Sequence, residues 1–355
     1  MSKIALVTDL HFGTRNDSPI FHEYYRKFYE NVFIPYLKDN NIEVVICLGD
    51  TFDKRKNINF ISLDKSYEYF FDPLQKNNIQ LYCLVGNHDA PYKNHIRLSS
   101  PKLLLSQYNN VEVIDSPKEL VIYNKEFAFI PWICAENHTE TISLLKSTTA
   151  KILVGHFELS GFEMFKGQFS EHGQIDRKEL SSFDRVWSGH YHHKSTQDNI
   201  TYLGNPYELT WSDFADQRGF HVYDCEHDII EFINNPYSIF HKFFYDDSEE
   251  DKTWLDEFDY SIYTDAYVKV IVTKKTDFLT FDTFIHRIQD AAPAELKIIE
   301  DFSEFEDSAL YEDQLEAEDT LTILNSYIDE VETTVDKDKI KKVMRELYIE
   351  ANVVE

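Results

Sequence analysis

Seven residues able to bind metal stand where five apolar runs of this chain stop. Ile4 to Val7 leads into Asp9 and His11, Val44 to Leu48 into Gly49-Asp50, and Leu81 to Val85 into Gly86-Asn87-His88-Asp89. Ile152 to Val154 ends on Gly155-His156, and Val186-Trp187 leads to Gly189-His190-Tyr191-His192. Carboxylates, an amide oxygen and imidazoles gathered at neighbouring strand ends are what a hydrolytic site with two metal ions needs. Asp9 and His11 are two residues apart, so an extended backbone sends both side chains to one side, and His190 and His192 repeat the spacing. Asp50, behind a glycine that lets the chain turn sharply, is the natural bridging carboxylate, with Asn87 and His156 as further donors. A donor set without thiolate suits Mn²⁺, Fe or Zn²⁺ more than Ca²⁺ and is not a structural zinc site; Mn²⁺ is the expected ion, with Mg²⁺ as the substitute. A single Asp-x-His or Gly-His pair is common in proteins that bind no metal. Five clusters, each closing a separate apolar run, are what point to a metal pair. His88 is expected to turn away from the ions toward substrate, where an imidazole with an ordinary pKa of about 6.5 can protonate a leaving oxygen.

The elements that must carry these residues read as alternating strands and helices. Strand-like runs at 3–8, 43–48 and 80–85 are separated by helix-like stretches near 20–38 and 62–77, the signature of an α/β layer. From 111 the runs shorten, with one helix near 138–147 and further strands at 185–188, 200–204 and 219–223, which fits a two-sheet sandwich flanked by helices. Residues 1–235 are expected to form this catalytic domain. The acidic block from Asp246 to Asp251 reads as a solvated linker, followed by a strand at 267–272 and a helix at 281–291, enough for a small α/β appendage over 236–300. Residues 301–355 begin with a second acidic stretch and end in two amphipathic patterns, the last being Ile340, Val343, Met344, Leu347 and Tyr348. Such a tail either folds back as a helical hairpin or docks on a partner helix, and its place beyond an acidic linker favours docking.

Charge and cysteines narrow the class. The chain has 355 residues and a net charge of −28. Residues 1–224 hold 23 Lys and Arg against 29 Asp and Glu, so −22 of the charge lies beyond them. So acidic a chain is a poor stand-alone polyanion binder, since phosphate contacts come from Lys and Arg. Cys47, Cys83, Cys134 and Cys225 form no C-x-x-C pair and read as reduced. No run approaches the roughly 20 apolar residues of a membrane span, and the start lacks a signal-peptide core, so a cytoplasmic protein is expected.

The ordered set Asp9-x-His11, Gly49-Asp50-x-x-Asp53, Gly86-Asn87-His88-Asp89, Gly155-His156 and Gly189-His190-x-His192 resembles the calcineurin-like metallophosphoesterases. Within them the chain is similar to the SbcD-type nuclease subunit of double-strand-break repair complexes, especially its bacteriophage version; Ile130-Pro131-Trp132 and the run from Gly204 to Phe220 support this. The resemblance covers residues 1–224 well and the rest only in layout. It implies Asp9, His11, Asp50 and His192 around one ion and Asp50, Asn87, His156 and His190 around the other. His88 would be the catalytic histidine, with Asp53 and Asp89 beside it; some relatives carry His at the place of Asp53. The family further implies Mn²⁺-dependent 3′→5′ exonuclease and single-strand endonuclease action on DNA ends and single strands. It also implies a capping domain, a homodimer within a heterotetramer, a terminal helix that binds the coiled-coil base of an SbcC-type ATPase, and work in recombination, repair and replication, in the host cytoplasm if phage-encoded.

Lys54-Arg55-Lys56 follows the Asp50 motif, and Lys93 and Arg97 follow the Gly86 motif, so both clusters are expected on loops at the metal face. They are either an ordinary solvated charge run or phosphate-positioning groups. Tyr92 either packs or stacks on an unpaired base. A small-molecule phosphodiesterase or phosphatase is the competing enzyme class, against which the acidic-linked tail argues; a scaffold without catalysis is the competing non-enzyme class. His193 has the wrong parity for the His190 and His192 pair. His22, His95, His138, His172, His221, His227, His241 and His286 have no ligand context.

Overall fold

The computed structural model describes residues 2–165, 168–170, 173–248, 252–300, 337, 339–341 and 343–344. The chain divides into two compact units, Met1–Ile298 and Ile299–Glu355. The first contains two six-stranded sheets built from β1 (Lys3–Val7), β2 (Val44–Cys47), β3 (Gln80–Leu84), β4 (Val111–Ile114), β5 (Lys118–Ile122), β6 (Lys125–Ile130) and β7 (Ile152–His156), then, past a small hairpin of β8 (Glu163–Phe165) and β9 (Gln168–Phe169), β10 (Arg185–Gly189), β11 (Ser195–Gln197), β12 (Ile200–Tyr202), β13 (Gly219–Asp224) and β14 (Ile229–Asn234). One sheet runs β14-β13-β1-β2-β3-β4, the other β11-β12-β10-β7-β6-β5. The two-sheet sandwich expected from the strand pattern is the observed architecture.

The period of two along each strand sorts side chains between layers. Ile4, Leu6, Val44, Ile46 and Leu84 meet Phe127, Phe129, Ile152, Val154 and Trp187 in one core. Ala5, Val7, Val45, Cys47, Leu81 and Cys83 pack instead against Phe21, Phe28, Phe33 and Phe70 of the covering helices. Strands buried on both faces must be apolar throughout, which is why they read as unbroken runs. β1, β2, β3 and β4 are mutually parallel, as are β6, β7, β10 and β12, so one end of each sheet collects carboxyl-terminal strand ends.

Two of the covering helices share one construction. Pro19–Phe28 continues through a π-turn, Tyr29–Phe33, into Ile34–Asp39; Phe60–Ser66 continues through a π-turn, Tyr67–Phe71, into Asp72–Lys76. Each turn reads Tyr-Glu-x-x-Phe-x-Pro, ending at Pro35 or Pro73. Proline lacks an N–H, and its ring clashes with the carbonyl four residues back. The widened turn just before it, with Ile34 N–H on the Tyr29 carbonyl and Asp72 N–H on the Tyr67 carbonyl, makes room. Each helix then stops on Asn-Asn-Ile, with Asn41 at φ 52° and Asn78 at φ 56°. The next N–H closes the turn on Leu37 at 2.8 Å or Leu74 at 2.9 Å. The strands that follow end in Gly49-Asp50 and Gly86-Asn87, so a repeated helix–strand unit delivers two of the seven donors to equivalent places.

Beyond the sandwich, β15 (Phe240–Asp246), β16 (Tyr267–Lys274) and β17 (Glu295–Ile299) form a three-stranded sheet covered by the helix Phe278–Asp290. Tyr245, Val268, Val270, Val272, Phe281, Phe284 and Ile288 give it a core of its own. The strands β15 and β17 were not foreseen, and the solvated linker expected over 246–251 is corrected at Asp246 and Asp247; residues 249–251 lie outside the described residues. Asp246 ends β15, and Asp247 is 2% exposed because its carboxylate accepts the N–H groups of Thr276 and Asp277. An acidic residue that caps backbone donors reads in sequence like one that is solvated. In the second unit the described residues from 337 onward are helical; Val343 is half exposed, Ile340 and Met344 are partly buried, and Leu347 and Tyr348 lie outside the described residues.

Candidate metal centre

All seven expected donors converge at the carboxyl ends of β1, β2, β3, β7 and β10, in two adjoining groups. Asp9, His11 and His192 make one, and Asp50, His156 and His190 the other. Asp50 lies between them: its Oδ2 is 3.3 Å from His156 Nε2 and 3.8 Å from His11 Nε2. Asn87 joins the second group, with Oδ1 3.0 Å from His156 Nε2 and 2.9 Å from His190 Nδ1.

The means of convergence differs from the extended pairs read in the sequence. Asp9 (φ 52°), His11 (φ 43°), Asp50 (φ 52°) and His190 (φ 92°) all have left-handed backbones. Each such residue costs on the order of 1–3 kcal/mol and persists because its surroundings fix it. Asp9 N–H donates to the Gly49 carbonyl at 3.0 Å and His11 N–H to the Asp50 carbonyl at 3.0 Å, so the two loops hold one another. Gly86 allows the approach from the third strand: a Cβ there would lie 2.1 Å from Asp50 Oδ1.

The donor chemistry fits cations. His156 Nδ1 donates to the Leu48 carbonyl at 2.8 Å, which leaves a lone pair on Nε2 facing the Asn87 oxygen and Asp50 Oδ2. Three acceptors converging without a donor need a positive charge among them. A turned Asn87 amide offers the ion-free solution, donating to His156, His190 and Asp50 while its oxygen accepts from Arg55 Nη2 at 3.1 Å. His11 Nδ1 faces Asp53 Oδ1 at 3.2 Å, and His11 Nε2 lies 3.2 Å from His192 Nε2. Without ions, protons take the cation places. Burial opposes charge on His11, yet the Asp53 bond and the charges of Asp50, Asp53 and Asp9 raise it to about 9. Burial is likewise outweighed at His156, which Asp50 raises to about 9. His192 and His190 fall well below the ordinary value through burial and the neighbouring charges of His11 and His156 respectively. Each group thus contains one imidazolium, His11 in one and His156 in the other.

Around the donors sit the residues expected to be catalytic. His88 N–H donates to Asp50 Oδ1 at 2.8 Å, and its Nδ1 meets the Asp53 carbonyl at 2.6 Å, leaving Nε2 as the free ring nitrogen. Burial lowers its pKa despite the pull of Asp50, so the ring is neutral near pH 7. Asp53 accepts from Thr14 Oγ1 at 3.0 Å and orients His11. Asp89 is fully buried, and its carboxylate accepts from the N–H groups of Thr51 at 3.0 Å and Gly86 at 2.9 Å, so it braces the loops instead of facing a substrate. Burial and the Asp50 charge push it up to about 7.

The basic clusters divide. Arg55 donates through Nε to the Asn87 carbonyl at 3.0 Å and so positions Asn87. Lys54 pairs with Asp17 at 3.0 Å and Lys56 lies over the half-exposed Tyr92 ring at 5.3 Å. Lys93 and Arg97 are exposed. Two supporting residues had no assigned part in the sequence reading. Trp132 packs its ring 5.2 Å from His190 and donates its indole N–H to the Lys93 carbonyl at 2.9 Å. Arg218 bonds the His192 carbonyl and Asn205, and pairs with Asp213 at 2.9 Å and Asp216 at 2.8 Å. The short motifs containing them were the available signal. His193, outside the donor groups as its parity indicated, meets Asp216 at 2.7 Å.

The sequence pattern of the calcineurin-like phosphoesterases matches residues 2–213, the span that carries every donor. The chain belongs to the calcineurin-like phosphoesterase family. It is 33% identical over 321 residues, 90% of either chain, to "Exonuclease subunit 1" of Enterobacteria phage T4. An archaeal phosphodiesterase of known structure is 14% identical, with 66% of this chain and 99% of that one covered at a TM-score of 0.35; a protein of unknown function from Aquifex aeolicus gives 14%, 43%, 77% and 0.23. As a member of this family the chain is a metal-dependent phosphoesterase. Among the described residues no helix is long and apolar enough to cross a membrane.

Proposed function

We propose that this chain is the nuclease subunit of an SbcCD-type nuclease–ATPase complex, hydrolysing DNA phosphodiesters by in-line displacement at two Mn²⁺ ions. The observation that carries the reading is the position of Asp50 between two donor groups, in a chain related over nine-tenths of its length to a phage exonuclease subunit. Asp9, His11, Asp50 and His192 would hold one ion and Asp50, Asn87, His156 and His190 the other. Two such ions supply positive charge that lowers the barrier to displacement at phosphorus.

The chain's own groups do the rest. The strained Asp9, His11 and Asp50 backbones fix the carboxylates before substrate arrives, which avoids reorganisation at the moment of reaction. His88, whose Nδ1 donates to the Asp53 carbonyl, keeps the Nε2 lone pair available to take a proton and pass it to the leaving oxygen. Lys56, Tyr92, Lys93 and Arg97 are the groups on these loops left to meet a DNA backbone. Exonuclease polarity 3′→5′, single-strand endonuclease action and a homodimeric arrangement belong to the same reading. So do the division into a nuclease domain (1–235), a capping domain (236–300) and a terminal ATPase-binding region (301–355).

The test is hydrolysis of labelled linear double-stranded DNA beside bis-p-nitrophenyl phosphate, with Mn²⁺, Mg²⁺ or EDTA, for the wild type and His88→Leu. Mn²⁺-dependent DNA degradation, lost in the variant, is the expected result. Cleavage of the small diester with no action on DNA, even with the ATPase subunit present, would overturn it in favour of a small-molecule phosphodiesterase.

A further inference from the structure

At the edge where β13 and β14 of one sheet face β10, β11 and β12 of the other, the sandwich is not closed. A cleft of about 450 Å³ opens between the sheets there, lined by none of the seven metal donors. Inner-face positions that are apolar in the middle of the sandwich are here Lys194, Thr196, Thr201 and His221, beside Ile230 and Phe232. A sandwich interior buries polar groups only when they have partners, because an unmet donor or acceptor costs about 1–3 kcal/mol.

One of these groups has none. His221 is 6% exposed and its Nδ1 has no hydrogen-bond partner. Its neighbours point to the sign of the missing partner. Lys194 places its ammonium 3.6 Å from the centre of the Phe232 ring, and its charge acts directly on His221. Burial and that cation hold His221 down to about 3, so the ring is neutral and can donate one N–H. The carboxylates nearby are engaged: Asp198 pairs with Arg177 at 3.1 Å, and Asp184 adds its field to Arg185, which is held by Asp228 at 2.9 Å. A cation, an imidazole and the paired hydroxyls of Thr196 and Thr201, 3.1 Å apart and with one proton left to give, make a set rich in donors. The Phe232 ring, 5.1 Å from that of His221, and Ile230 make a flat apolar wall beside it. The volume is within the range of small-ligand sites, several times what a bare phosphate fills.

We infer that this cleft is a second ligand site, separate from the metal centre, for a small phosphorylated ring compound of the nucleoside monophosphate type. The phosphate lies against Lys194, His221 and the hydroxyls, and the ring lies along Phe232 and Ile230. Lys194 is two residues from His192, whose carbonyl also takes the Asn205 N–H at 3.3 Å and an Arg218 bond, so an occupant presses on a segment that ends in a metal donor.

Calorimetric titration of the full chain with deoxyadenosine monophosphate, deoxyadenosine and inorganic phosphate, each in EDTA and in Mn²⁺, tests this independently of hydrolysis. The monophosphate is expected to bind one per chain in EDTA, at least tenfold tighter than either fragment. Lys194→Met should weaken it tenfold or more, and Lys194→Arg should restore most of the loss. Phe232→Ala should weaken the monophosphate and leave inorganic phosphate unchanged. Binding that needs Mn²⁺, or that survives Lys194→Met, places the ligand at the metal centre and overturns the inference. Inorganic phosphate binding as tightly as the monophosphate overturns the nucleotide assignment, and no binding of any probe overturns the site.

Discussion

Within the donor groups, neighbouring residues carry different burdens, and substitution should separate them. His88 touches the groups through a backbone N–H and the Asp53 carbonyl, whereas the imidazole of His190 faces the Asn87 oxygen directly. His88→Leu should therefore leave two Mn²⁺ bound, by elemental analysis after gel filtration, while diester turnover falls by roughly 10²- to 10⁴-fold. His190→Leu should lose metal itself; equal metal loss in both variants would contradict the assignment. The protons on His11 and His156 give a second expectation. Both rings sit at about 9 without ions, above their ordinary value, so at neutral pH each must shed its proton before an ion can take its place. Affinity for Mn²⁺ should then rise about tenfold per pH unit for each ion between pH 7 and 9, and level off above. Titrations in buffers of different ionisation enthalpy, which count released protons, check this; release near zero at pH 7 would show that the rings are neutral before binding.

The repeated helix–strand unit and the clip between sheets set expectations for the elements. Asn41 and Asn78 end their helices in the left-handed region, which a β-branched residue tolerates poorly. Asn78→Val should cost about 1–2 kcal/mol in urea unfolding and Asn78→Gly close to nothing, since the Ile79 N–H to Leu74 bond survives only where the turn can form. Glu208 ties the sandwich to β15, its Oε2 accepting from Ile239 N–H at 2.7 Å and Phe240 N–H at 3.0 Å, and burial raises it to about 7. A carboxyl raised on folding keeps its proton between pH 4.5 and 7, so its contribution is full at the acid end and is lost as pH rises through 7. The loss is about 3 kcal/mol. Glu208→Gln keeps an acceptor for both N–H groups, and the fall in melting temperature between pH 5 and 8 should become shallower. The elements that sequence made legible are those with a simple period. Runs buried on both faces gave β1, β2, β3, β7 and β10, and the polar residues just after them gave the donors. The left-handed backbones of Asp9, His11 and His190 were not legible, because Asp and His accept that region only when distant loops impose it. The same holds for Asp247, Arg55 and Asp89, whose partners stand 29, 32 and 38 residues away along the chain. Charge in a sequence has no direction until the fold supplies one.

At the scale of the whole molecule, charge divides the labour. With −22 of its −28 beyond residue 224, the chain as a whole repels a polyanion, and at the metal centre Lys54 and Arg55 are already engaged by Asp17 and the Asn87 carbonyl. On the proposed reading, grip on DNA comes from a partner, and the segment proposed to recruit it is the tail, where Val343 is half exposed and Leu347 follows four residues on, outside the described residues. Two apolar residues spaced i, i+4 form the anchor an amphipathic helix offers to a groove or a second helix. Changing both to Asp sets two charges into any such contact, which costs several kcal/mol and breaks an association of ordinary strength. The Val343→Asp, Leu347→Asp variant is expected to hydrolyse bis-p-nitrophenyl phosphate within twofold of wild type, since all seven donors lie before residue 193. It should fail to co-elute with a coiled-coil ATPase subunit, and its DNA degradation should lose any stimulation by that subunit and by ATP. Co-elution that persists would mean that the tail's apolar face is covered by its own chain, and the DNA grip would then have to be sought on the capping sheet.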